Sequence, residues 1–339
     1  MVRASISLPL LVVGALLAGC EGTGPSPTTA TTATTATSTA TRPSSIDSIR
    51  LPEGTFPRFL TVAPDGVVWC GESSGESIAK VAPYGTVEHV RIPGKSNSPA
   101  NVVNGPGGTV WFAGFQFIGR VTAGGDLDGW GDDAGVGLPT AVTSGPDDAI
   151  WYTNGKFPPA ISRITPTGEV TDHLIPPTDT PVTLPGITRG PDRALWFTET
   201  TTAPGAVHAI GRMTVDGDYS RFPLSGTAND PHRITAGPDG ALWFTLGSGA
   251  IGRVTVDGVL SEFPLPADAK PFDITAGPGG ALWFSTDQAV IGRITTAGEI
   301  TLHPVEGAKR LIGIAAAPDG TLWVADGEAD ALWHYTPAR

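Results

Sequence analysis

Three side chains in the middle of the chain could carry out proton transfer beside a cation. His232 follows a proline at the start of a strand-like run, and Glu199 and His208 lie in the loop 199–209. An imidazole can remove a proton near neutral pH, and a carboxylate is a natural ligand for a hard cation. These residues predict a base with a carboxylate on the metal side. The alternative is a solvated rim of polar side chains without a chemical role.

The sequence around His232 belongs to a unit that recurs along the chain. Its clearest copy, 231–266, contains four strand-like runs at 232–236, 241–245, 251–256 and 259–265. Asp-Gly corners join the first two runs and the last two, because Asp bonds the nearby backbone and Gly accepts the positive φ of a hairpin corner. The looser connection 246–250 is where the copies can differ in function.

Seven tryptophans count the copies of this unit. They lie in the second run of each copy and are Trp69, Trp111, Trp151, Trp196, Trp243, Trp283 and Trp323. Four short strands in each period of about 40 to 45 residues are typical of propeller blades. The sequence therefore predicts an all-β fold, a seven-bladed β-propeller of four-stranded blades. The residues that begin the innermost strands would then surround the mouth of a central channel.

The two ends of the chain are predicted to complete one blade together. The last copy has runs at 311–316, 321–325 and 331–336, and the chain stops at Arg339, where a fourth strand would begin. Residues 46–52 resemble the fourth runs of other copies, at 219–224 and 260–266. Pairing the two ends would remove an exposed strand edge, so the propeller domain is predicted to span 46–339.

The segment before the propeller indicates export and anchoring. In residues 1–20, Arg3 precedes an apolar run at 8–18 that is too short for a stable membrane span and is typical of a signal peptide. The ending Leu-Ala-Gly-Cys20 resembles the lipobox of bacterial lipoproteins, which implies that Cys20 is lipidated; cleavage that leaves a free cysteine is the alternative. Residues 21–45, rich in Thr, Ala, Ser and Pro, are predicted to be a flexible tether. The expected location is the outer face of a bacterial membrane.

Residues that recur in most copies are predicted to be structural. The tryptophans are interpreted as core residues, with a stacking platform for a ligand as the alternative. The aspartates Asp65, Asp147, Asp192, Asp239 and Asp319 are interpreted as turn formers, and the basic residues of the third runs as surface or inter-blade hydrogen-bonding positions. Cys70 is expected to pack as a small buried hydrophobe.

The repeated segments ITAGPDGALWFT, IGRITTAGEIT and EFPLP resemble those of the streptogramin B lyase (virginiamycin B lyase) family, from about residue 46 to the end. Active members of that family open cyclic depsipeptide antibiotics by elimination across the ester linkage, without water and with Mg²⁺. The resemblance implies a base that removes the proton α to a carbonyl while Mg²⁺ polarises that carbonyl. It also implies a His after Pro in the sixth copy, a second His in the seventh, and a Glu just beyond the seventh Trp.

The sequence departs from the family pattern at these positions. Phe272 and Ile312 stand where the two histidines are implied, and the carboxylates after Trp323 are one residue out of register. The base would then be His232 or His208 and the metal ligand Glu199. The candidates for a binding face are Arg58, Phe272, Asp326 and Glu328.

Two functions therefore remain open. The first is a C–O lyase that acts on a cyclic ester-linked peptide with Mg²⁺, and the second is a non-catalytic propeller that binds a small cyclic peptide or another envelope ligand. Nucleic acid is not an expected partner, because 33 acidic against 21 basic residues give a net charge of −12. The chain is expected to be a monomer that contacts the membrane through its lipid anchor only.

Overall fold

The computed structural model describes residues 44–73, 77–83, 85–92, 98–178, 180–201, 203, 205, 207–225, 230–266 and 269–338. Residues 1–43 lie outside the described residues. They include the predicted signal peptide, Cys20 and all of the predicted tether except its last two residues. Within the described residues no helix is long and apolar enough to cross a membrane.

Seven antiparallel sheets follow one another along the chain and form the blades. Blade 1 contains β2 (Pro57–Val62), β3 (Val68–Glu72), β4 (Ser77–Val81) and β5 (Val87–Arg91). Blade 2 contains β6 (Asn101–Asn104), β7 (Val110–Gly114), β8 (Phe117–Val121) and β9 (Leu127–Trp130). Blade 3 contains β10 (Pro139–Ser144), β11 (Ile150–Asn154), β12 (Ala160–Ile164) and β13 (Val170–Leu174).

The remaining blades follow the same order, with one interruption. Blade 4 contains β14 (Val182–Thr183), β15 (Ile187–Arg189), β16 (Leu195–Thr201), β17 (Ala209–Met213) and β18 (Tyr219–Pro223). Blade 5 contains β19 (Pro231–Ala236), β20 (Leu242–Leu246), β21 (Ala250–Val254) and β22 (Leu260–Pro264), and blade 6 contains β23 (Pro271–Gly277), β24 (Ala281–Thr286), β25 (Val290–Thr295) and β26 (Ile300–Pro304). In blade 4 both β14 and β15 pair with β16, and Pro185 lies between them, where it has no amide hydrogen to give to the ladder. Short 3₁₀ helices occur at Pro106–Gly108, Asp132–Ala134 and Pro278–Gly280.

Blade 7 joins the two ends of the described chain. It contains β27 (Leu311–Ala316), β28 (Leu322–Asp326) and β29 (Ala331–Thr336), and its outer strand is β1 (Ser45–Arg50). The antiparallel register between β1 and β29 runs from Ser45 opposite Thr336 to Arg50 opposite Ala331. The seven-bladed fold and its closure by an N-terminal strand are thus confirmed.

The core consists of layers between neighbouring blades. The tryptophan of each second strand is buried and packs into the second strand of the next blade, as Trp196 does against Leu242 and Phe244. The same arrangement closes the ring, because Trp323 of blade 7 packs against Val68 and Cys70 of blade 1. The tryptophans are therefore core residues. The Cys70 thiol is fully buried, and burial raises its pKa.

The Ile-Gly-Arg motif of the third strands follows from this packing. In blades 2, 4, 5 and 6 a phenylalanine follows the tryptophan and lies across the glycine of the neighbouring strand, so that a Cβ on Gly252 would stand 2.0 Å from the Phe244 ring. A side chain at this position would have to displace a fully buried ring. Glycine is therefore required here for packing and not for a turn.

A buried hydroxyl links the innermost strands of adjacent blades. Thr245 Oγ1 accepts a hydrogen bond from the Arg233 amide of its own blade at 3.1 Å and donates one to the Phe272 carbonyl of the next at 3.2 Å. Thr198 donates in the same way to the carbonyl of His232, and Ser285 to that of Ile312. These bonds hold the starts of the inner strands in register around the channel.

Candidate functional site

A pocket of about 380 Å³ opens where the inner strands of blades 5, 6 and 7 begin. We call it the mouth pocket, and it is lined by Asp230, His232, Gly247, Lys270, Pro271, Phe272, Asp287 and Arg310. Asp230, Lys270 and Arg310 occupy the same position in three successive copies, directly before the inner strand. Three successive blades therefore place one anionic and two cationic side chains around one opening.

His232 and Asp230 form a pair on the wall of the mouth pocket. His232 Nε2 lies 3.2 Å from Asp230 Oδ2, and the two side chains are 46% and 39% exposed. The carboxylate can hold the ring in one orientation and leave the other nitrogen free for a proton. This is the arrangement expected of a general base with an orienting carboxylate, and the solvent can reach both groups.

Two hydrogen bonds link Lys270 and Asp287 at the same opening. The Lys270 amide donates to Asp287 Oδ1 at 3.2 Å, and the Asp287 amide donates to the Lys270 carbonyl at 3.1 Å. The Lys270 ammonium is exposed and has no ion-pair partner among the described residues. It is therefore available to a ligand in the pocket.

Arg310 is held at the seam between blades 6 and 7. Its guanidinium carbon lies 5.1 Å from the centroid of the Phe272 ring, and its Nη1 lies 3.6 Å from Glu328 Oε1. Asp326, fully buried, accepts hydrogen bonds from the amides of Lys309 at 2.7 Å and Arg310 at 3.1 Å. Phe272 thus lines the mouth pocket and Glu328 contacts Arg310 beside it, whereas the buried Asp326 anchors the backbone before the inner strand of blade 7.

A second group of charges lies along the channel below the mouth pocket. The Arg233 guanidinium carbon stacks 3.5 Å from the centroid of the Phe59 ring, and its Nη1 donates to the Pro185 carbonyl at 2.8 Å. Burial lowers the pKa of Arg233 to about 10, Asp273 opposes this change, and Arg58 adds to it. Burial also raises the pKa of Asp273, although Arg233 and two backbone amides oppose that shift.

Arg58 stands at the start of the inner strand of blade 1, in the position equivalent to His232 and Phe272. Burial, and after it the positive charge of Arg310, lower the pKa of Arg58. Its Nε is buried without a hydrogen-bond partner in the described part of the chain. Arg58 thus has a buried Nε without an acceptor among the described residues.

Glu199 lies in a structural ion pair. Its carboxylate is fully buried and accepts hydrogen bonds from Tyr219 Oη at 2.6 Å and Arg221 Nε at 2.8 Å. Burial, and then the Glu199 charge, raise the pKa of Tyr219. Each oxygen accepts one hydrogen bond from the protein, and because the side chain is fully buried neither oxygen is exposed to solvent.

His208 lies behind the same loop and not in the mouth pocket. The ring is 5% exposed, and its Nδ1 accepts a hydrogen bond from the Thr201 amide at 3.2 Å. Glu199 lies within β16 and His208 directly precedes β17, whereas His232 lines the mouth pocket with Asp230. Glu199, His208 and His232 therefore do not line one common site.

Glu199 and Asp326 belong to a column of buried polar residues that end the second strands. Glu72, Asn154 and Asp326 occupy the same position, three residues after the tryptophan, and each bonds its own loop. Asn154 accepts from the Leu138 amide at 2.9 Å, as Asp326 does from Arg310. In blades 1, 3, 4 and 7 this position thus carries a buried polar side chain that bonds nearby groups, whereas blades 2 and 5 carry Gly114 and Leu246 there.

A metal ion does not fit the described residues. They contain no group of three or more His, Cys, Asp or Glu side chains that could hold one. In the mouth pocket, Asp230 pairs with His232, Asp287 is bonded to the Lys270 amide, and the cations Lys270 and Arg310 lie beside them. The positive charges of the Lys270 ammonium and the Arg310 guanidinium oppose the binding of Mg²⁺ in the mouth pocket. No step through Mg²⁺ is therefore derived for this site.

Another cavity on the rim of blades 3 and 4 carries no comparable chemistry. It has a volume of about 580 Å³ and is lined by Phe157, several prolines and short polar residues. Its one charged lining residue, Lys156, is paired with Asp172. The proton-transfer and anion-binding groups of the face lie in the mouth pocket instead.

Sequence reasoning missed Asp230, Lys270, Arg310 and the channel pair Arg233 and Asp273. Aligning the seven copies column by column would have revealed them. In such an alignment, the residue before the inner strand and the first residues of that strand vary between charged, aromatic and small types. The rest of the strand varies much less. Variable positions on a repeated scaffold are where function differs.

The fold and this face can be compared with known proteins. Residues 28–204 and 137–338 match the virginiamycin B lyase family. A search of curated proteins finds no match. A streptogramin B lyase structure shares 28% sequence identity, with a TM-score of 0.78, over 86% of this chain and 97% of the other.

Two structures of the virginiamycin B lyase from Staphylococcus aureus are also similar. The selenomethionine-substituted enzyme is 31% identical, with a TM-score of 0.78, over 86% of this chain and 99% of the other. A catalytically inactive histidine-to-alanine variant, solved with quinupristin, gives the same identity, TM-score and coverage. In that relative, activity thus depends on a histidine.

Proposed function

Because this chain belongs to the virginiamycin B lyase family, we propose that its mouth pocket binds a small peptide-type ligand. The observation that carries the proposal is the pocket itself, which combines an aromatic floor at Phe272 with charged groups from three successive blades. An apolar surface with a few convergent polar groups is the usual composition of a small-molecule site. The structure with quinupristin supports a peptide as the ligand class.

Binding is favoured over turnover by the two replaced histidines. Phe272 and Ile312 stand at the positions where the family resemblance implies a histidine pair. Ile312 is 4% exposed and can neither accept nor donate a proton. The Phe272 ring is partly exposed and lies against Arg310, where it can contact an apolar side chain of a ligand.

Calorimetric titration of the full-length chain with quinupristin tests this proposal. Wild type should bind saturably, and Phe272→Ala should weaken binding by about tenfold or more, since a buried aromatic contact contributes about 1 to 3 kcal/mol. Val259→Ala, which truncates an exposed side chain at the corner between β21 and β22, is the matched control and should bind like wild type. Absence of saturable binding to wild type would overturn the proposal.

Elimination is the second candidate function, and the His232–Asp230 pair favours it. His232 would take the proton α to a carbonyl, the electron pair would form a C=C bond, and the ester C–O bond would break to release a carboxylate. The reaction consumes no water, so product and substrate have equal mass. A positioned base contributes about 10²- to 10⁴-fold to the rate.

Mass spectrometry of quinupristin incubated with the chain distinguishes the two functions. An isomeric linear product that is lost in both His232→Ala and Asp230→Asn would establish elimination at this pair. Turnover that is unchanged in His232→Ala would exclude His232 as the base. If wild type is inactive, Phe272→His with Ile312→His tests whether the family's pair alone restores turnover.

We also propose that the protein is exported and attached to a membrane through Cys20. The support for this comes from the sequence of residues 1–20 and its likeness to a lipobox. A tether of 25 residues, 21–45, would let the propeller stand away from the membrane surface.

A further inference from the structure

Three arginines lie near one another at the mouth of the channel and just below it, and few acids balance their charge. Arg58, Arg233 and Arg310 come from blades 1, 5 and 7; the charge of Arg310 lowers the pKa of Arg58, and the charge of Arg58 lowers that of Arg233. Blades 7 and 1 approach closely here, since a Cβ on Gly313 would lie 2.3 Å from the Arg58 carbonyl oxygen. This cationic cluster stands in a chain whose net charge is −12.

The three arginines differ in how their charge is satisfied. Arg233 stacks on Phe59, donates to a carbonyl and has Asp273 nearby. Arg310 has one distant partner, Glu328, at 3.6 Å, and their side chains are 43% and 56% exposed. Arg58 has no side-chain hydrogen bond or ion pair within the described residues, and its Nε is buried. Burying like charges without an acceptor is unfavourable, and an anion between them would remove the cost.

We propose that Arg58 and Arg310 bind a carboxylate of the peptide ligand. Guanidinium groups match the planar carboxylate with paired N–H donors. The neighbouring carboxylates Asp230 and Asp287 would repel a dianionic phosphate more than a monoanion, and the Phe272 ring beside Arg310 offers a surface for the apolar body of a ligand. This inference rests on the proposed ligand pocket and specifies the chemistry that the pocket selects.

A free carboxylate has a consequence for the place of this protein in a reaction sequence. A cyclic ester-linked peptide has no terminal carboxylate, and opening its ester by elimination or by hydrolysis creates one. The site therefore prefers the opened peptide, and a ring-opening reaction must supply that ligand. If His232 itself catalyses elimination, the two arginines would hold the carboxylate that leaves.

The matched ligands for a test are linear quinupristin acid, made by chemical hydrolysis of the ester, and its methyl ester. They differ in one charge and little else. Titration of the full-length chain should show the acid bound at least about tenfold more tightly than the methyl ester, the usual effect of a charge-assisted hydrogen-bonded pair. Equal affinities for acid and ester would overturn the carboxylate site, while intact quinupristin that still binds would leave the ligand pocket standing.

Variants locate the effect. Arg58→Gln and Arg310→Gln should each bring the acid-to-ester ratio close to one, because each variant loses more affinity for the acid than for the ester. Arg50→Gln, at an exposed position of β1, is the control and should keep the ratio of wild type. If the ratio survives both channel-mouth substitutions, the arginines are not the site. Thermal melting of each variant shows whether the fold is kept.

Competition identifies the kind of anion. Acetate should displace the linear acid, and inorganic phosphate at equal concentration should displace it no better. Stronger displacement by phosphate would mean that the cluster is an inorganic-anion site, and the carboxylate proposal would be wrong.

Discussion

At the scale of single residues, one aspartate in each of three blades both forms the turn and accepts a hydrogen bond from the repeated arginine. The sequence pattern suggested these two roles separately. Asp239 Oδ1 accepts from the Trp243 indole at 3.0 Å and from the Ala241 amide at 3.3 Å, and Oδ2 accepts from Arg253 Nε at 2.8 Å. Asp147 and Asp192 bind their own tryptophan and arginine in the same way. In these three blades the repeated arginine is therefore the partner of the turn aspartate, whereas Lys80 pairs with Glu88 and Arg120 with Asp128.

These aspartates predict a loss of stability in acid. Partial burial raises the pKa of Asp239, but hydrogen bonds from Trp243 and Arg253 outweigh it, and the pKa is lowered. A lowered folded-state pKa means that the contribution to stability is present above the unfolded pKa of about 3.9 and is lost as the pH falls through the folded value. Urea unfolding should show less stability near pH 3 than near pH 6.

The variant Asp239→Asn should reduce the free energy of unfolding near pH 6 and flatten this pH dependence. Asp257→Asn, at an exposed corner of the same blade, is the control. An Asp239→Asn variant whose stability follows that of wild type at both pH values would show that the carboxylate contributes nothing.

The tryptophans carry a second prediction at this scale. Trp243 is fully buried between blades 5 and 6 and contacts Leu282 and Phe284 of the next blade. Replacement by alanine should cost about 3 to 5 kcal/mol of unfolding free energy, the usual range for a large buried aromatic side chain. Chemical denaturation measures it. Unchanged stability together with lost ligand binding would mean that Trp243 is a ligand platform.

At the scale of elements, strand β1 decides whether the ring is closed. It pairs with β29 over six residues, and Leu51 beyond it donates its amide to Asp330 at 2.8 Å. The side chain of Leu51 is buried in the layer between blades 7 and 1. Without β1, blade 7 would expose the edge of β29 and part of this layer.

Deletion of residues 46–52 should therefore destabilise the whole propeller and lower its melting temperature by several degrees, because strand pairing and core packing are lost together. Deletion of residues 22–41, in the predicted tether, should leave the melting temperature unchanged. Differential scanning calorimetry compares the two proteins. Equal melting temperatures would contradict a role for the N-terminal strand in closure.

At the scale of the whole molecule, ring closure concentrates function at one point. Residues that are far apart in sequence, such as Arg58 and Arg310, reach the channel mouth together because each blade contributes the start of its inner strand.

The proposed anchor gives a prediction at the same scale. Cys20→Ala should move the protein from the membrane fraction to the soluble fraction of cells, since acyl chains provide the affinity for the membrane. Fractionation and immunoblotting measure this shift, with Cys70→Ala, a buried core position, as the control. Membrane association that persists in Cys20→Ala would contradict the lipoprotein hypothesis.

The sequence by itself determined the number of blades, the four-stranded unit and the closure of the ring, because each depends on a local pattern that repeats. Trp243, Gly252 and Asp239 do the same work in their blade as their equivalents do elsewhere. Tertiary structure alone decided which charged side chains meet. Glu199 forms a buried ion pair with Arg221, and His232 pairs with Asp230. Which charged side chains pair in this way depends on side-chain direction and burial. Those properties arise only when the blades are packed around the channel.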